Sequence, residues 1–79
     1  MTLNEQRVIE HEISEREKFI SDLTQERKDI YKSVQDMAKA DAVTTDKAIE
    51  RMRKIDIMIR AHEKEINLRK SKLKLARRD

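Results

Sequence analysis

The chain of 79 residues contains no glycine, no proline, no cysteine and no tryptophan, and only one tyrosine and one phenylalanine. Each absence removes a class of protein. Without glycine or proline, the many tight turns of a sandwich or barrel have no residues to build them. Glycine is also what lets a backbone cradle a phosphate closely, so a nucleotide-binding loop is not expected. Without cysteine there is neither a disulfide framework nor a thiolate metal site. Two aromatic rings cannot furnish a stacking platform for bases. No apolar run is long enough to span a bilayer, and no signal-peptide pattern follows Met1. The expected location is therefore cytoplasmic, or the inside of a host cell if a mobile element encodes the chain.

What remains is charge and periodicity. Charged residues make up 44% of the chain, with a formal net charge of +3. So much charge suits disorder, but two apolar ladders argue for helix instead. The first is Ile9, Ile13, Ile20, Leu23, Ile30, Val34 and Met37; the second is Ala48, Met52, Ile55, Ile59, Ile66, Leu73 and Ala76. Steps of three and four residues place each ladder on one stripe of a helix. The ladders fall out of phase around residues 40–46, where Thr44, Thr45 and Asp46 are all good N-caps.

These signals predict an all-α chain forming a single helical domain over residues 1–79. Helix 1 is expected at about 2–39, a turn at about 40–44 and helix 2 at about 45–77. Folded at the break, the helices form an antiparallel coiled-coil hairpin. The alternative is one continuous helix in a parallel coiled-coil dimer, with the phase break as a stutter. A lone hairpin buries little, so pairing of two hairpins into a four-helix bundle is expected.

The hairpin predicts specific neighbours. Met37 falls near Ala48, Ile30 near Ile55, Ile20 near Ile66 and Ile13 near Leu73. Flanking charges would pair as Glu12 with Lys72, Glu17 with Lys70, and Glu10 with Arg77. Arg16 and Arg69 would share one seam layer, with their guanidinium groups reaching out to Glu12, Glu15 or Glu65 or else holding an external anion.

The two flanks of such a hairpin differ. One carries Arg7, Ser14, Ser21, Lys28 and Gln35 from helix 1, and Arg53, Arg60, Asn67 and Lys74 from helix 2. It holds no acid at these positions. With Arg78 of the basic tail, Arg7, Lys28, Arg53, Arg60 and Lys74 are the candidate phosphate contacts. The opposite flank carries the acids Glu15, Asp22, Asp29 and Asp36 beside Val8, Phe19, Met58, Leu68 and Leu75. These five apolar residues are surplus to the seam and are the candidate protein interface. Charge is also uneven along the chain: residues 1–46 have 7 basic and 11 acidic side chains, and residues 47–79 have 12 basic and 5 acidic.

Catalytic and metal signals are weak. His62–Glu63–Lys64–Glu65–Ile66 opens like a zinc-protease helix but has Ile66 where the second histidine belongs. The carboxylates sit among Lys and Arg at helix-surface spacing, which salt bridging explains. No enzyme activity, metal or cofactor is expected. A membrane-surface reading of residues 66–78 competes with the seam for Ile66 and Leu73. The heptads around Ile20, Leu23, Ile30 and Val34 give the chain a general style that resembles bacterial coiled-coil nucleoid proteins. It equally resembles small phage or plasmid accessory proteins that bind host machinery. Any coiled coil supplies those heptads, so the resemblance assigns no functional residue. Two functions follow as expectations: nucleic-acid binding (DNA or RNA) through the basic ridge, or a protein-binding adaptor, chaperone or inhibitor acting through the apolar flank.

Overall fold

Thr2 starts the first helix. Its hydroxyl Oγ1 accepts the backbone N–H of Glu5 at 3.1 Å, and its carbonyl accepts that of Gln6 at 3.1 Å. This is an N-cap, and Glu5 adds a favourable negative charge to the first turn. The computed structural model describes residues 1–36 and 42–76, and the side chains of residues 1–35 and 45–76. Over these residues the chain is two helices, α1 (Leu3–Asp36) and α2 (Ala42–Ala76). Each is about 50 Å long at 1.5 Å per residue. Lys74 lies in the last turn of α2, where a cation meets the negative end of the helix.

The helices fold back on each other within one chain. Contacts run from Glu12 to Arg69, from Arg16 to His62 and from Arg27 to Asp56, so the numbering rises on one helix as it falls on the other. The result is an antiparallel hairpin measuring 60 × 14 × 14 Å. One unbroken helix is therefore not the fold of this chain.

The seam is narrow. Ile13, Ile66 and Leu73 form a buried cluster toward the open end, with Ile9 and Ile20 packed against it. Ile13, Ile20, Ile66 and Leu73, all expected in the seam, are thus part of one cluster. Nearer the turn, Ile55 is completely buried. It lies between Arg51 and Asp56, which tie the helices together at its level through ion pairs to Glu26 and Arg27. Leu23, Ile30, Met52 and Ile59 are half-buried.

Two expectations need correction. Helix α2 begins at Ala42, three residues earlier than the sequence suggested, so Thr45 and Asp46 lie inside α2 and do not cap it. Ala42–Val43–Thr44, expected in the turn, is already helical, because no glycine or proline stops it. The pairing register moves with the turn. Glu12 bonds Arg69 and not Lys72, and Arg16 bonds His62, a full heptad short of Arg69. The physical reason is that a heptad stripe looks alike after a slip of one repeat. Apolar spacing alone therefore leaves register nearly free. Glu17 and Lys70 are both exposed, and no bond between them is seen among the described residues. The expected Met37–Ala48 and Glu10–Arg77 contacts lie outside the described residues.

Candidate nucleic-acid interface and the polar seam

Charged side chains in this hairpin divide into those clasped across the seam and those turned to solvent. The clasped group is centred on Arg69, which is 19% exposed. Its Nε donates to Glu12 Oε2 at 2.6 Å, and its Nη1 donates to Glu65 Oε2 at 2.6 Å and to the Glu65 carbonyl at 3.1 Å. Two carboxylates thus answer one guanidinium. Arg69's hydrogen bond holds the Glu65 carboxyl below the ordinary carboxylate range, outweighing the opposing effect of burial. The bonds from Glu12 and Glu65 in turn hold Arg69 above the ordinary arginine value.

Arg16 lines the same cleft as Arg69 but takes a different partner. Its Nη1 lies 3.2 Å from His62 Nδ1. A guanidinium can only donate, so Nδ1 is the acceptor in this contact. Phe19 stacks on the same imidazole, with ring centroids 5.5 Å apart and planes 15° apart. His62 is thus a seam residue held from two sides by α1. The anion site suggested by two facing arginines is absent, because Arg69 is already answered by carboxylates and Arg16 by the imidazole.

Toward the turn, Arg51 grips Glu26 with three hydrogen bonds of 2.9 to 3.1 Å, and Arg27 Nε donates to Asp56 at 2.9 Å. Sequence reasoning missed both clasps. The signal was present, since Glu26 and Arg51 occupy facing seam-edge positions, but it became readable only with the correct register.

The candidate phosphate contacts behave differently. Arg7, Lys28, Arg53, Arg60 and Lys74 are all exposed, and none shows an ion pair or hydrogen bond among the described residues. Arg78 lies outside the described residues. Arg53, Arg60 and Lys74 recur at multiples of seven on α2. Over that interval the helix rises about 30 Å, close to one turn of B-DNA.

The candidate protein interface is mostly exposed as well. Val8, Phe19, Leu68 and Leu75 are each more than half exposed. Met58 is the exception. It is half-buried, one turn from fully buried Ile55 at the edge of the seam. Tyr31, Ile49 and Ile57 are also exposed and were not singled out from the sequence. Ile66 and Leu73 are buried, which removes the two residues that a membrane-surface segment over 66–78 would need. No helix among the described residues is long and apolar enough to cross a membrane. Among them, no group of three His, Asp or Glu could hold a metal ion.

No protein-family model, no curated protein and no solved structure matches this chain.

Proposed function

We propose that this chain is a non-enzymatic interaction module, a homodimer that contacts nucleic acid through the basic ridge on α2. One observation carries the reading. The seam cations Arg16, Arg27, Arg51 and Arg69 are all engaged. Arg53, Arg60 and Lys74, by contrast, stand exposed in a row with no bond seen among the described residues. Spaced cations on a straight rod release counterions when they meet a phosphate backbone. With one tyrosine and one phenylalanine as its only aromatic residues, the chain has no platform for bases, and the ridge suits backbone contact without sequence preference. Arg7 and Lys28 on α1 extend the same flank.

The test is a salt titration of binding to a duplex DNA and an unrelated RNA. Wild-type affinity should fall steeply with salt. Arg53→Glu with Arg60→Glu should weaken binding and flatten the log–log salt slope by roughly 2. Unchanged affinity in that variant would remove the ridge from the function.

A second reading rests on different residues. Val8, Phe19, Leu68 and Leu75 expose more apolar surface than their share of the seam requires. They support a protein-binding adaptor, chaperone or inhibitor. Leu75→Asp separates the readings better than a change at Phe19, which would also disturb His62. Nucleic-acid affinity should survive Leu75→Asp if the ridge is the working surface.

A further inference from the structure

The apolar, acidic flank opposite the ridge has a shape and a charge pattern that select one occupant and one geometry. Its α1 edge is acidic, with Glu15, Asp22 and Asp29. Its α2 edge is basic and apolar, with Lys54, Leu68, Lys72 and Leu75. All seven are exposed. The flank is therefore complementary to itself, provided that α1 of one copy lies against α2 of another.

Two kinds of two-fold axis can bring identical flanks face to face. An axis across the rod sets α1 on α1, acid against acid, and carries the open end of one copy to the turn end of the other. An axis along the rod sets α1 on α2 and keeps the open ends together. Only the second arrangement matches charges, and it also brings the apolar residues of the open half into one cluster. The seam contacts fix which residues share a height on the rod. Arg27 meets Asp56 and Glu26 meets Arg51, so the height of Asp29 falls between those of Ala48 and Lys54. Glu12 meets Arg69, which puts Val8 within a turn of the level of Leu75. Across the along-rod axis, Asp29 of one copy then comes within about a turn of Lys54 of the second, and Val8 within about a turn of Leu75.

We infer that this flank is the self-association surface of the chain, closed by a two-fold axis parallel to the rod. The inference rests on the proposal that the protein is a homodimer and adds the face and the symmetry. A flank 60 Å long and 14 Å wide offers on the order of 800 Å² per copy, the standard size of a stable interface. Among the described residues the seam buries four hydrophobic side chains, which leaves a lone hairpin little core of its own. In the resulting four-helix bundle the two basic ridges turn outward on opposite sides.

The experiment is light scattering after size exclusion, with circular dichroism on the same samples. Wild type should be a dimer. Leu68→Glu with Leu75→Glu should be a monomer that keeps its helicity, since both side chains are more than half exposed in the hairpin. Asp29→Lys and Lys54→Asp should each raise the dimer Kd by a few-fold to about tenfold. Mixed together, the two variants should form heterodimers in preference to homodimers, because opposite charges face each other only in the mixed pair. A monomeric wild type would overturn both the homodimer and this surface. A dimer untouched by Leu68→Glu with Leu75→Glu would overturn the surface and leave the homodimer standing. A mixture of the charge variants with no preference for heterodimers would overturn the axis. That mixture also reads the face without altering its apolar side chains, should the leucine variant lose helicity.

Discussion

Ile55 and Ile57 stand two residues apart on α2 and have opposite fates: Ile55 is 0% exposed and Ile57 is 66% exposed. Replacing each with alanine turns that difference into a measurement. Ile55→Ala removes three buried carbons, worth roughly 2.4 kcal/mol at about 0.8 each. A cavity adds a further cost, but a two-helix seam can close around it, so a total of about 2–3 kcal/mol is expected. For a chain of this size, that loss corresponds to a fall in Tm of roughly 8–24 °C. Ile57→Ala removes little from water-free surroundings and improves helix propensity, so its effect should stay within about 0.5 kcal/mol. The assay is thermal and urea unfolding by circular dichroism at one fixed protein concentration, because dimerisation would make Tm concentration-dependent. Equal losses, or a larger loss from Ile57→Ala, would refute the assigned seam.

Two further outcomes follow from the polar seam and the N-terminus. Glu65 has its carboxyl held low by Arg69. Its contribution to stability is therefore complete above the unfolded carboxylate range and disappears as the pH falls through the lower folded value. Glu65→Gln should be less stable than wild type near neutrality and should lose less on acidification below about pH 4. Parallel acid limbs in the two proteins would show that the Arg69 clasp contributes nothing. Thr2→Ala removes the hydroxyl that caps α1 and should cost about 0.5–1 kcal/mol. Unfolding in urea measures it, and an unchanged midpoint would mean that the first turn frays regardless of its cap.

The sequence alone determined that this chain is two helices with one apolar stripe each. A 3.6-residue backbone repeat turns Ile13, Ile55, Ile66 and Leu73 inward wherever their helices meet, and all four are buried. It also determined that Arg53, Arg60 and Lys74 line one face, because residues spaced by sevens share a face on any helix. The cap at Thr2 was missed, although Thr2–Leu3–Asn4–Glu5 has the spacing of a capping box. Tertiary structure decided the register. A stripe that repeats every heptad is satisfied by several alignments, and the choice among them depends on where the chain turns and which long side chains reach each other. That choice gave Arg69 to Glu12 and Glu65, and set His62 between Arg16 and Phe19. It also brought Asp29 within about a turn of the height of Lys54, the relation on which the proposed dimer depends. Periodicity specifies a face of a helix, but a height along the rod exists only once two helices are packed together.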